Sequence, residues 1–203
     1  MIILFYAVLI LLLTIGGISI ILFFIFALDS LIQGHDLSTS RRATRALIDL
    51  IKQYKPSAKN FYDLGCGRGA LSLRIKKALP SLEVEAIDNN TIRIFFAKLK
   101  SKILGRKINF RKQNIFEANL RQADIVYAYL WYDLMPPLEK KLQNELKSGA
   151  IVVTNTSNFP SWQSTNKINT YPKFPETPNL ETLFVYTKTD SKLKDIKRKN
   201  TAK

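Results

Sequence analysis

The 203-residue chain is predicted to form an α/β domain with a mostly parallel sheet, helices on both sheet faces, and one transmembrane helix ahead of it. Three observations predict this class. Short apolar runs alternate with helix-periodic stretches from Phe61 to Thr154, the pattern of repeated strand-helix-strand units. Between the first run and the first of those helices stands Gly65-Cys66-Gly67-Arg68-Gly69. A strand that stops at such a turn and restarts as a helix points free N–H groups into the crevice above the sheet. Finally, Met1 to Leu28 contains no acidic or basic side chain.

That first stretch is built from Ile, Leu, Phe, Val and Ala. Spanning about 30 Å of hydrocarbon takes about 20 helical residues, so it is long enough to cross with some tilt. A cleavable leader has a basic start, a shorter apolar core and a small-x-small cleavage site. None of these is present, and a retained anchor over residues 1–28 is expected. Arg41, Arg42 and Arg45 follow the segment and no Lys or Arg precedes it, which places the globular domain in the cytoplasm. Residues 29–37 read as a polar connector.

Residues 38–187 form the predicted domain. Ser38, Thr39 or Ser40 caps a helix whose apolar positions Ala43, Ala46, Leu47, Leu50, Ile51 and Tyr54 keep helical spacing. Its other side carries Arg41, Arg42, Arg45 and Lys52, a cationic face suited to lipid phosphates or simply to water. Phe61 to Leu64 is the first strand. The helix after the glycine turn keeps Leu71, Ile75, Ala78 and Leu79 on one side and stops at Pro80. Leu82 to Ile87 alternates as a second strand. The next helix presents Ile92, Phe95, Phe96, Leu99 and Ile103 to the sheet, with Arg93, Lys98, Lys100 and Lys102 outward. Lys107–Lys112 and Asp124–Tyr129 are strands, Pro136-Pro137 opens a helix, and Ala150–Thr154 is the next strand. A weakly patterned segment rich in Asn, Thr and Pro follows, then a strand from Leu180 to Thr187. Residues 188–203, with seven Lys or Arg against two Asp, read as a disordered basic tail.

Composition narrows the function. A chain of this length holds one domain with a proper core, not a nucleotide domain plus a separate substrate domain. The net charge of +15 suits nucleic acid or an anionic membrane surface, and the apolar start favours the membrane. Cys66 and His35 are the only residues of their kinds, too few for a zinc site, so no metal is expected. Cys66 reads as a small filler within the turn.

The residue just ahead of the turn discriminates between ligands. Gly65-x-Gly67-x-x-Ala70 satisfies a dinucleotide fingerprint, yet Asp63 at the strand end would repel a pyrophosphate. S-adenosylmethionine instead carries a sulfonium and an ammonium, which an acid attracts. Asp88, with Asn89 beside it, follows the second strand, where a ribose is held by its hydroxyls. The run Asp63-x-Gly65-x-Gly67-x-Gly69 resembles the nucleotide loop of the class I SAM-dependent methyltransferases. That resemblance covers about Lys59 to Thr187 and implies a seven-stranded Rossmann-like methyltransferase sheet. It also implies an adenine contact after the third strand, at Asn114, where the family often has an acid.

A narrower resemblance rests on the apolar start, the run Pro136-Pro137-Leu138-Glu139-Lys140-Lys141-Leu142 and the run Phe159-Pro160-Ser161-Trp162. Together these look like the membrane-anchored protein-lysine methyltransferases of the ATP synthase c-subunit and the adenine nucleotide translocase. That family usually has a second acid in the turn, where Arg68 stands here. The resemblance implies methyl transfer to a lysine of a membrane protein. Asp133 is the acid best placed to assist, and Trp131, Tyr132 and Trp162 could wall the site. Asp63, Gly65, Gly67, Gly69, Asp88, Asn89 and Asn114 are the expected cofactor contacts. A lipid or quinone methyltransferase and a non-catalytic SAM-binding tether are the alternatives. Nucleic acid is not the expected partner, because such work rarely requires a membrane span.

Overall fold

A computed structural model describes residues 1–33, 38–171 and 181–189. His35 and all but the first two residues of the expected tail lie outside them. The chain divides into two units, Met1–Leu37 and Ser38–Lys203. The first holds α1 (Ile2–Gln33), of which Ile2–Leu28, 27 residues, is long and apolar enough to cross a membrane. The helix runs on into the expected connector because no Gly or Pro stands between Leu28 and Gly34.

The second unit contains α2 (Arg41–Tyr54), β1 (Asn60–Leu64), α3 (Ala70–Ala78), β2 (Glu83–Asp88), α4 (Thr91–Ile103), β3 (Asn109–Lys112), β4 (Ile125–Ala128), α5 (Met135–Glu145), β5 (Ile151–Asn155), β6 (Asn166–Asn169) and β7 (Thr182–Thr187). The seven strands lie in the order β3-β2-β1-β4-β5-β7-β6. All pairs are parallel except β5 with β7 and β6 with β7. The sheet is thus the seven-stranded, mostly parallel arrangement that the methyltransferase resemblance implies.

Successive residues of a strand face opposite sides, so each central strand feeds two cores. Phe61, Val84, Ile125 and Val153 pack with α2 and α3 through Leu47, Leu50, Ile51, Leu71 and Ile75. Tyr62, Leu64, Val126 and Val152 pack on the other side with Met135, Leu138 and Leu142 of α5. Every residue of β4 and β5 is buried, as a parallel sheet covered on both faces requires. The Ser40 side chain accepts from Ala43 N at 3.1 Å and caps α2.

Three expectations are corrected. Strand β6 lies in the weakly patterned segment, where only Ile168 is apolar and no residue is fully buried; an edge strand needs no hydrophobic alternation. Tyr54 and Ala78 stand on the apolar spacing of their helices yet are exposed, each in the last turn of its helix. The largest correction concerns α4, which buries Ile94, Ala97 and Ser101. Phe95 is 61% exposed and Ile103 73%. Small residues let this helix lie close to the turn: a Cβ on Gly69 would stand 3.2 Å from that of Ala97. Bulky Phe and Leu could not be accommodated there.

Candidate active site

The turn after β1 is fixed by its own packing. Gly65, Gly67 and Gly69 all have positive φ, at 75°, 52° and 73°, which a residue with a Cβ rarely adopts. A Cβ on Gly65 would meet Leu130 at 2.5 Å, and one on Gly69 would meet the Phe110 ring at 2.7 Å. Gly65 and Cys66 both donate their N–H to Ile87 O, at 2.8 and 3.0 Å, and Gly69 N donates to Cys66 O at 2.9 Å. Gly67 N donates to Asp88 Oδ2 at 2.8 Å. The expectation of free N–H groups along the turn is therefore corrected at these four positions. A loop whose donors are already used is a poor cradle for a pyrophosphate. Cys66 is buried in a small cluster with Ala86, Ile94, Ala97 and Phe110, a filler in fact.

Two buried carboxylates flank this turn. Asp63, only 2% exposed, accepts from Ser72 Oγ of α3 at 2.5 Å. Asp88, at the end of β2, uses Oδ2 for Gly67 N and Oδ1 for Asn90 N at 2.9 Å. Each Asp88 oxygen keeps a second acceptor site, held in place by the first. Such a set of acceptors suits ribose hydroxyls and cationic groups rather than phosphates. The residues present thus fit S-adenosylmethionine and argue against a dinucleotide. Asn89 is exposed beside Asp88, while its neighbour Asn90 caps α4 by accepting from Ile92 N and Arg93 N. Asn114 is exposed after β3, and its Oδ1 accepts from Phe116 N at 3.0 Å. Its amide N–H groups face no such demand from that turn.

The segment leaving β4 is of another kind. Trp131 is 59% exposed and Tyr132 79%, and Asp133 is exposed beside them in a single 3-10 turn, Tyr132–Leu134. β1 pairs with β4 so that Leu64 lies opposite Ala128. The glycine turn and the Trp131 segment therefore leave adjacent strands at one level, joined by the Gly65–Leu130 contact. Trp162, expected on the same wall, is instead a core residue. Its ring lies 5.7 Å from Phe159, stacked, and 5.4 Å from Tyr186. Burial of that large apolar surface outweighs any surface position.

Several residues that shape this edge were not foreseen. Ser72 secures Asp63, and Leu130 fills the space above Gly65. Glu139, buried on α5, accepts from Ser161 N at 3.0 Å, so the Pro136–Leu142 and Phe159–Trp162 runs are one structural unit. Tyr127 Oη meets Thr39 Oγ1 at 2.7 Å and accepts from Asn155 Nδ2 at 3.1 Å; Asn155 Nδ2 also reaches Glu181 at 3.1 Å. Burial drives the Tyr127 phenol far above its usual range, so it stays neutral. Directly after β5, Thr156 holds φ 66°, strained for a β-branched residue. Ser157 Oγ donates to Leu130 O at 3.2 Å and binds this loop to the end of β4. Only Asn155, at the strand end, carried a signal in the sequence, since a polar residue closing an apolar strand marks the reactive edge of such sheets.

Residues 63–166 match the model of the ANTKMT methyltransferase domain. The chain is 32% identical over 79 residues to a release factor glutamine methyltransferase of Bacteroides thetaiotaomicron, covering 39% of this chain and 28% of that protein. It is 28% identical over 130 residues to a protein-lysine N-methyltransferase of Saccharolobus islandicus, covering 61% of this chain and 77% of that protein. The chain spans only 28% and 41% of the length of the first two curated relatives it matches. Among solved structures it is similar to an RNA methyltransferase from Salinibacter ruber in complex with S-adenosyl-L-homocysteine. That likeness has a TM-score of 0.66 at 20% identity and covers 76% of this chain and 95% of the other, a likeness of fold.

Proposed function

Because the chain belongs to the ANTKMT methyltransferase domain family, a family of SAM-dependent methyltransferases, we propose that α1 holds it in a membrane, with the sheet domain on the cytoplasmic side, and that it methylates a lysine side chain of a membrane protein. The observation that carries this reading is the pairing of β1 with β4. It sets a closed turn with two buried carboxylates beside an open segment with two exposed aromatic rings and an acid. The first suits a cofactor and the second an acceptor. The lysine assignment draws on the relative from Saccharolobus islandicus, and the membrane assignment on α1.

The residues that would hold S-adenosylmethionine are Asp63, Gly65, Gly67, Gly69, Asp88, Asn89 and Asn114. When bound, it supplies an electrophilic methyl group on a sulfonium. Asp63 and Asp88 accept hydrogen bonds and balance positive charge at the strand ends. Trp131 and Tyr132 present ring faces that attract a cationic amine before it reacts. The Asp133 carboxylate accepts a hydrogen bond from the amine and orients it. A lysine with pKa near 10.4 must lose a proton before its lone pair is available. Placement and desolvation of that neutral amine are the protein's main contributions.

Incubating the protein with methyl-labelled S-adenosylmethionine and membranes from cells lacking it tests the reading. Label is expected in acid-hydrolysed protein as methyllysine. Label in the organic extract would replace the lysine with a lipid or quinone, and binding without turnover would leave a tether.

A further inference from the structure

We propose that the outer face of α4 is a second membrane contact, a docking surface for an anionic lipid bilayer. At about 100° per residue, Ile92, Phe95, Phe96, Leu99 and Ile103 form one stripe. Its centre lies roughly opposite the buried face of Ile94, Ala97 and Ser101. The helix is thus apolar on two sides, and only one is covered by the sheet. Ile92, Phe95, Leu99 and Ile103 are 38%, 61%, 43% and 73% exposed, and Leu104 continues the patch at 51%. Phe95 and Phe96 pack edge to face at 5.4 Å. The stripe runs for about 16 Å along the helix.

Charge identifies the occupant. Lys98 and Lys102 fall on one flank of the stripe and Lys100 on the other, all three exposed, and α4 contains no acidic residue. Long lysine stems can lie along apolar surface while their ammonium groups reach phosphates. An apolar stripe bordered by lysines is the signature of a helix that lies in the headgroup region of anionic membranes. A second copy of this chain would bring the same positive flanks against each other. The basic residues 188–203 carry seven Lys or Arg against two Asp and are repelled likewise. Residues 172–180 are tethered at β6 and β7, while α4 packs on β2 and β3. Four strand spacings, about 19 Å, exceed the roughly 16 Å that nine residues can reach out and back.

The inference rests on α1 bringing the domain to a bilayer, and the test separates the two readings. The full chain carries an environment-sensitive fluorophore on Phe95→Cys, on Leu99→Cys or, as a control, on Lys140→Cys of α5; Cys66 is buried. Each is mixed with phosphatidylglycerol-phosphatidylcholine vesicles containing brominated lipid, and flotation in alkaline carbonate reports integration through α1. Blue-shifted emission quenched by about twofold or more at positions 95 and 99 but not at 140 is expected. That effect should diminish in pure phosphatidylcholine. Carbonate-resistant flotation with 95 and 99 as water-exposed as 140 overturns the α4 contact and leaves α1 standing. Quenching at 95 and 99 without carbonate-resistant flotation sustains the α4 contact and overturns α1. A blue shift that brominated lipid does not quench means that a protein surface covers the stripe, and overturns the proposal.

Discussion

The two segments that leave β1 and β4 lie side by side yet are built on opposite terms. The turn at Gly65–Gly69 is closed: the N–H groups of Gly65, Cys66, Gly67 and Gly69 bond to Ile87, Asp88 and Cys66, and the Cβ spaces of Gly65 and Gly69 belong to Leu130 and Phe110. The segment Trp131–Asp133 is open, with its rings and its acid in solvent. The lesson is that damage in the first region is structural before it is functional, whereas damage in the second is functional alone.

Gly69→Val is the strongest way to break the contrast. The added atoms strain a positive φ and collide with Phe110, so loss of S-adenosylmethionine binding by calorimetry and a fall in Tm of about 10 °C or more are expected. Asp133→Ala should lower kcat by about 100-fold while leaving cofactor affinity and Tm unchanged. If cofactor affinity falls with it, the open segment is not a separate acceptor site. Asp88→Ala removes the acceptor for Gly67 N and Asn90 N, and is expected to weaken cofactor binding by about 10- to 100-fold and to lower Tm as well.

The two tryptophans sharpen the same comparison. Trp131→Ala is expected to raise KM for the acceptor by about threefold to tenfold through lost cation-π attraction, with no change in stability. Trp162→Ala should do the reverse, costing about 3 kcal/mol of stability through its cavity. The smallest effect lies at the far end of the sheet. Burial raises the Asp124 carboxyl, but Lys147 at 2.7 Å and the N–H groups of Asn60 and Lys59 together hold it below its usual value. Its contribution is present above the unfolded pKa of about 3.9 and is lost as pH falls through the folded value. Asp124→Asn should therefore reduce stability at pH 7 by about 1 kcal/mol and flatten the acid limb of the unfolding profile.

The sequence alone determined the sheet class, the order of the strands and helices up to β5, the acid-glycine turn and the apolar helix at the start. These are local signals: period-two and period-3.6 burial, glycine where φ is positive, and the absence of charge over a membrane thickness. Tertiary structure decided what local pattern leaves open. The sequence of α4 offers two apolar faces, and the space beside Gly69 and Phe110 selected the one with small residues. Strand β6 has no pattern of its own and exists because β7 offers an edge to pair with. Trp131 and Trp162 are chemically the same, yet only the packing of Phe159 and Tyr186 sends one of them inside. Local pattern reports which surfaces are apolar, and only the packed chain decides which of them are covered.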